Sequence, residues 1–315
     1  MTGHPAVQRF DGPEAVPAGW PRSVVTVGVF DGVHLGHRAI VARARDRASG
    51  TGMPVVAITF DPHPSEVVRP GTHPTMLSTL DHRVALLGEA GADAVLVLPF
   101  TWELSQHTPE QFVVEVVTGS LHAAAVVVGA NFRFGHRALG TVDTLRQLGE
   151  QLGFEVVAVD LVGGPAVNWS STYVRQCVLE GDVAEAGDIL GRPHRVVGTV
   201  VHGDHRGRDL GYPTANLSLG RHAAVPADGV YAGRLVVADE PLPAAVSIGT
   251  NPTFDGLDRR VEAYVLDRDD LELYGQVVAC EFVARLRPTL RFDAVDALLA
   301  QMAVDVEQTR QALSP

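Results

Sequence analysis

The feature that most constrains this chain is an alternation running from residue 24 to about residue 160. Val24-Val25-Thr26-Val27, Pro54–Phe60, Ala94–Phe100, Ala124–Val128 and Phe154–Leu161 are short runs too apolar for half-exposed strands. Four segments between them carry helical signals: Arg38 to about Ala48, Thr79–Ala90, Pro109–Val117 and Thr141–Leu152. Thr79 or Asp81 can cap the second. Thr108 can cap the third, with Pro109 at the first helical position and Glu110-Gln111 in the first turn. Strands buried on both faces and separated by helices form a parallel, doubly wound α/β sheet, Rossmann-like in architecture. Such sheets bind ligands beyond the carboxyl ends of their strands, so the residues just after each strand are those to read for chemistry.

After the first strand comes Gly28-Val29-Phe30-Asp31-Gly32-Val33-His34-Leu35-Gly36-His37. It places His34 and His37 on a glycine-rich turn into a helix amino end, where free N–H groups and the helix dipole favour an anion such as phosphate. Gly32 and Gly36 permit a tight turn and close ligand approach, and two imidazoles can donate to a charged oxygen. A bare HxGH is more often a βα turn with two surface histidines; the strand before it and the helix after it favour function. Asp61-Pro62-His63-Pro64 follows the second strand, Gly129-Ala130-Asn131-Phe132-Arg133-Phe134-Gly135 the fourth, and Trp169-Ser170-Ser171-Thr172-Tyr173-Val174-Arg175 the fifth. Singly each is weak: the first can be a rigid turn, and Ser-Ser-Thr a helix cap needing no ligand. Four such segments on one sheet edge could converge on one crevice.

Near residue 187 the rhythm changes. Glu180-Gly181-Asp182 breaks one short helix and starts another, which Leu190-Gly191-Arg192-Pro193 ends. Short strands then follow at Val196–His202, Val230–Val237, Ala245–Ile248, Arg260–Leu266 and Val277–Leu286, separated by Gly, Pro and Asp turns. That spacing predicts an antiparallel β-barrel or sandwich. Val295, Leu298, Leu299, Met302 and Val306 recur at helical spacing and predict a closing helix packed on it. Two domains are expected, 1–187 and 188–315. In the second, Gly211–Leu217 is either a plain polar turn or a ligand site: Thr214 and Asn216 share a face if extended, and their oxygens suit Mg²⁺ and its attached phosphates. His202–Arg208, with Gly203 and Arg206, offers a phosphate loop or simply a solvated hairpin. Glu262 lies on a strand of Val, Ala and Leu; it faces either solvent or a ligand as a general base.

Composition narrows the chemistry. The 315 residues are enough for two cores, and 46% hydrophobic with 20% charged residues describes an ordinary soluble protein. A net charge of −12 argues against a general nucleic-acid or membrane-surface binder. With no long apolar run and no basic-then-apolar leader, a cytoplasmic location is expected. Cys177 and Cys280 lie among apolar residues, without metal-ligand spacing, and read as small core residues. The chain contains no lysine, which excludes a Walker A loop and any lysine nucleophile. Phosphate must be handled by Arg, His, hydroxyls, helix N-termini and a divalent metal.

HxGH in this setting resembles the nucleotidyltransferase superfamily. The longer string GVFDGVHLGH is similar to that of the bacterial bifunctional riboflavin kinase/FMN adenylyltransferases. That family pairs it with motifs like GENFRFG, SST-x-x-R and GFPTANL; here stand VGANFRFG, WSSTYVR and GYPTANL, then GTNPTF and RVEAY, in family order over nearly the whole chain. Trp169 replaces the usual Ile or Val, and Tyr212 the usual Phe. The resemblance implies ATP as co-substrate, Mg²⁺, and riboflavin and FMN as partners. It implies that His34, His37 and Asn131 act in adenylyl transfer. Gly28, Phe30, Asp31, Gly36, Ser170, Ser171, Thr172 and Arg175 would hold ATP there, and Pro62, Pro64 and Phe134 the flavin. In the kinase half it implies Thr214 and Asn216 on Mg-ATP with Gly203 and Arg206, Asn251, Thr253 and Tyr264 on the flavin, and Glu262 as the base for the ribityl 5′-hydroxyl. No nucleic acid or membrane partner is expected, and a homo-oligomer is compatible. A chain with one working module, one acting on a flavin analogue, or a non-catalytic flavin sensor are alternatives that intact His34, His37, Thr214, Asn216 and Glu262 argue against.

Overall fold

A computed structural model describes residues 7–160, 162–163, 169–203, 211–253 and 256–314, with 250–253 and 256–258 described by their backbone alone. The chain divides into two compact units, Met1–Pro74 with Leu80–Ser170, and Thr75–Thr79 with Ser171–Pro315.

The first unit is built on six parallel strands: β1 (Gln8–Asp11), β2 (Ser23–Val27), β3 (Val55–Asp61), β4 (Ala94–Pro99), β5 (Ala123–Gly129) and β6 (Glu155–Val159). Their order is β1-β4-β3-β2-β5-β6. Helices α1 (Leu35–Ala48), α2 (Pro64–Val68), α3 (Leu80–Glu89), α4 (Trp102–Ser105), α5 (Pro109–Phe112) and α6 (Val142–Leu152) connect them. Alternate strand residues serve opposite faces. Val25 and Val27 pack with Phe112, Val116, Leu145 and Leu148, whereas Val24 packs with Ala44 and Ala48 of α1. This is the doubly wound sheet that the alternation predicts.

Local chemistry sets the helix ends. Thr108 and Gln111 form a reciprocal capping box, with N···O distances of 3.2 and 2.8 Å. Beyond Phe112 the backbone continues as a π-helix over Val113–Ser120. Three elements have no counterpart in the sequence reading. β1 buries only Phe10, and α2 and α4 are short segments inside expected turns. From β2 the chain steps outward to β3 and β4 and later returns to β5 and β6 on the other side. The topological switch point therefore lies between β2 and β5.

In the second unit α7 (Ser171–Glu180) and α8 (Val183–Leu190) precede a closed antiparallel barrel. Asp182 caps α8 by accepting from the Glu185 N–H at 3.1 Å. The barrel strands are β7 (His194–Val201), β8 (Ala215–Leu219), β9 (Gly229–Val237), β10 (Glu240–Thr253), β11 (Gly256–Val265) and β12 (Val277–Arg287), ordered β10-β11-β8-β7-β12-β9. β8 occupies what reads as a polar turn, and β10 is far longer than Ala245–Ile248. Ala215, Leu217, Val246, Ile248, Val261, Ala263, Cys280 and Phe282 fill the interior. Cys177 and Cys280 are free and buried, and burial pushes both thiols up, so neither is poised to react. Residues 75–79 join this unit by a short parallel bridge: the Met76 N–H donates to His222 O (2.6 Å), and the Ala224 N–H to Met76 O (2.8 Å).

Helix α9 (Val295–Leu313) packs on β9, β10 and β12, but not through the whole apolar stripe. Val295 is 57% exposed, and the buried residues of the helix are Asp305 and Thr309. Arg287 grips Asp305 in a bidentate pair (2.8 and 2.6 Å), and Gln301 adds a third donor at 3.0 Å. This ion pair ties the helix to β12, and Val295 in its first turn faces solvent. Asp305→Asn leaves Arg287 facing a neutral amide, and we expect it to destabilise the unit by about 3 kcal/mol. Urea denaturation checks this; a change within about 0.5 kcal/mol, typical of surface positions, would contradict it.

Candidate active sites

The first candidate site grows from the switch point. In register Thr26 pairs with Val127, so Gly28 and Gly129 leave the sheet side by side and carry the HxGH and Asn131 segments with them. The loop after β2 is unusual: Phe30, Gly32 and Val33 have φ of 53°, 76° and 39°. A β-branched residue in that region is strained, and such strain clusters at functional sites. Phe30, Asp31 and His34 are buried. His34 is the N-cap of α1, its Nδ1 accepting from the Gly36 N–H at 3.1 Å. In the neutral ring this puts the proton on Nε2, which becomes the donor. A Cβ at Gly36 would come within 2.9 Å of the His34 ring, so this packing requires glycine. The His34 and His37 rings stack at 3.8 Å, and the Phe30 edge meets His37 at 5.1 Å. Two imidazoles thus lie together at a helix N-terminus, the arrangement that suits an anion.

Asn131 is exposed just beyond β5, on a turn closed by the Phe132 N–H to Gly129 O at 3.0 Å. Phe134 is 8% exposed and packs beside Phe112; its ring belongs to the core. Phe132, stacked on it at 5.4 Å and only partly buried, is the aromatic that this turn leaves accessible. Pro62 follows a cis peptide bond, and Pro64 opens α2, which His63 caps through its Nδ1. The serine-rich motif is divided: Ser170 ends the first unit, while Ser171, Thr172 and Arg175 begin α7 of the second. Arg175 Nε donates to Thr75 O at 2.7 Å, a contact with no sequence signal.

The second candidate site lies on the outer face of the barrel. Asn216 of β8 is the direct cross-strand partner of Glu262 of β11, and Glu262 is that of Ser247 of β10. Their neighbours Ala215, Leu217, Val261, Ala263, Val246 and Ile248 are buried, so the three polar residues share the outward face. Thr214 stands just before β8, its carbonyl 3.5 Å from Asn216 Nδ2. Tyr264 lies on the same face as Glu262 and meets Tyr212 edge-on at 5.1 Å; burial, then Tyr212, pushes its phenol up. Leu266, which alternation assigns to that face, is buried; it lies just past β11, its N–H donating to Pro243 O at 2.9 Å. Gly203 abuts this site: a Cβ there would lie 2.6 Å from Asn216 Cγ. Arg206 and the side chains of Asn251 and Thr253 lie outside the described residues.

Two family models match the chain in succession, FAD synthetase over residues 17–173 and riboflavin kinase over residues 190–313. A bifunctional riboflavin kinase/FMN adenylyltransferase of Listeria monocytogenes is 36% identical over 91% of each chain. Its namesake from Escherichia coli K12 is 34% identical over 91% of this chain and 92% of its own. The chain belongs to the bifunctional riboflavin kinase/FMN adenylyltransferase family.

The likeness extends to the fold over nearly the full length of the chain. A crystal structure titled as a macrolide-efflux protein from Streptococcus pneumoniae superposes with a TM-score of 0.88 at 32% identity, covering 97% of this chain and 99% of that one. Among the described residues no helix is long and apolar enough to cross a membrane. The two candidate sites fall one in each matched segment, the His34–His37 turn in the first and the Asn216–Glu262 pair in the second.

Proposed function

We propose that this chain converts riboflavin to FMN with one ATP and FMN to FAD with another. Residues 1–187 would carry adenylylation and 188–315 the kinase. The observation that supports this best is the cross-strand pairing of Asn216 with Glu262, which sets a phosphate-side amide beside a carboxylate on the riboflavin kinase segment. In the kinase step Glu262 takes the ribityl 5′-hydroxyl proton as that oxygen bonds to the γ-phosphorus and ADP departs. In the second step an FMN phosphate oxygen attacks the α-phosphorus of ATP, and the bond to the departing pyrophosphate breaks. His34 through Nε2–H, His37 and the α1 amino end donate to the charge gathering there, with Asn131, Ser170, Ser171, Thr172 and Arg175 orienting phosphates and Pro62, Pro64 and Phe132 lining the flavin. A lysine-free chain can run both reactions, because neither needs a protein nucleophile.

The donor set at Thr214 and Asn216 is all oxygen, and among the described residues no cluster of three or more His, Cys, Asp or Glu offers a rival metal site. It fits Mg²⁺, which keeps phosphate and water ligands and needs few from protein. Thr214 and Asn216 would hold it, and it would neutralise phosphate charge. A cytoplasmic setting suits substrates of this kind, and the net charge of −12 disfavours nucleic acid. The test is the purified protein with riboflavin, ATP and Mg²⁺, its flavins separated by chromatography over time. FMN should appear first and FAD after it; absence of both overturns the reading. Gly203→Ala should lower FMN formation about 10- to 100-fold by displacing Asn216, while FAD formation from supplied FMN is kept. Native FMN formation in that variant would contradict the steric argument.

A further inference from the structure

We infer that Arg83 is a positioning residue for adenylyl transfer, bracing the loop that carries His34 and His37 against the segment Asp61–Pro64. The inference rests on the assignment of that loop to FAD formation. Arg83 lies on α3 and is 2% exposed. A guanidinium is rarely so buried, since its desolvation is costly unless hydrogen bonds offset it. One nitrogen, Nη1, donates to Phe60 O at 3.0 Å and to Thr59 Oγ1 at 3.3 Å. The Thr59 hydroxyl, itself wholly buried, donates onward to Val29 O at 2.8 Å.

Both ends of this relay touch the site. Val29 immediately precedes Phe30, the first of the left-handed residues in the loop. Strained backbone of that kind persists only where its surroundings over-determine it, and the Thr59 bond supplies part of that determination. From Phe30 contact passes to His37 at 5.1 Å and from His37 to His34 at 3.8 Å. On the other side Phe60 is followed directly by Asp61-Pro62-His63-Pro64, where the chain turns into α2. One cation therefore sets the register between two loops on the carboxyl edge of β2 and β3. A group needed only to fill space there could be apolar and would avoid the cost of desolvating a guanidinium.

The test uses the full chain with Arg83→Met, Arg83→Lys, Thr59→Val and the Arg83→Met/Thr59→Val double variant. FAD formation from FMN and ATP is measured beside FMN formation from riboflavin and ATP. Arg83→Met should lower kcat for FAD about 10- to 100-fold, the loss typical of misplaced groups, with KM for ATP little changed and FMN formation kept. Arg83→Lys should recover most of that kcat, since an ammonium can still donate to Phe60 O. Thr59→Val, close to isosteric, should lower kcat in the same direction and keeps the test open if Arg83→Met does not fold. The double variant should be no worse than Arg83→Met alone, as expected for two residues of one relay. Native FAD formation by Arg83→Met, fully additive losses, or a loss that Arg83→Lys does not restore overturns the inference. Native FAD formation by His34→Asn overturns the site assignment beneath it, and that result is separable because it leaves the Arg83 variants' kinetics to be read on their own.

Discussion

Replacing His34 with Asn should leave the protein folded and still able to make FMN, while FAD formation falls about 100- to 1000-fold, the usual cost of removing one preorganised donor. The choice of Asn follows from the geometry. His34 does two jobs: Nδ1 caps α1 by accepting from the Gly36 N–H, and in the neutral ring the opposite nitrogen carries the proton and can donate. Alanine would remove both, adding a cap loss of about 1 kcal/mol to the chemical effect. Asparagine is among the best capping residues, so His34→Asn keeps the helix start and deletes the imidazole donor. His37→Ala, at a position inside α1 rather than at its cap, should give a loss of the same order. The measurement is the rate of FAD and pyrophosphate formation from FMN and ATP, set beside FMN formation by the same preparation. Equal loss of both activities would trace the effect to folding and sink the assignment.

Glu262→Gln is the change expected to act most strongly on the other reaction. Removing a positioned general base lowers turnover by roughly 100- to 10,000-fold. Glutamine keeps the size of the side chain and its place opposite Asn216 and Ser247, so the barrel face is preserved. What it cannot do is accept the ribityl proton. The loss should fall on kcat for riboflavin phosphorylation, with riboflavin binding, followed by quenching of flavin fluorescence, and FAD formation from supplied FMN nearly unchanged. A Glu262→Gln protein that phosphorylates riboflavin at the native rate would return Glu262 to the role of an outward-facing surface acid.

Much of this protein was legible from local chemistry. The runs around Val24, Val55, Ala94 and Ala125 have to be buried on both faces, and that alone demands helices above and below a parallel sheet. Thr108 announces a helix start because a cap is a bond between near neighbours, and Thr141 and Asp182 prove to cap in the same way. The HxGH turn could be placed at a helix amino end for the same reason. Short or polar elements were not legible: β1 buries one residue, and β8 carries Asn216 outward, so neither shows the apolar density of a strand. Their pairing partners make them strands.

What the tertiary structure alone decided are relations between distant residues. Asn216 and Glu262 are 46 positions apart, and only the register of β8 on β11 makes them neighbours. Arg83 carries no signal in the sequence; packing alone brings its guanidinium to Thr59 and Phe60. Val295 and Leu266 fit their periodic patterns yet end on the other side of the solvent boundary: Val295 is exposed on a helix whose buried residues are Asp305 and Thr309, and Leu266 is buried just past β11. Periodicity reports which face of an element is apolar. Where an element begins to touch its neighbour, and which polar groups meet there, depends on strand register and closure, and those are settled by the sum of all contacts in the folded chain.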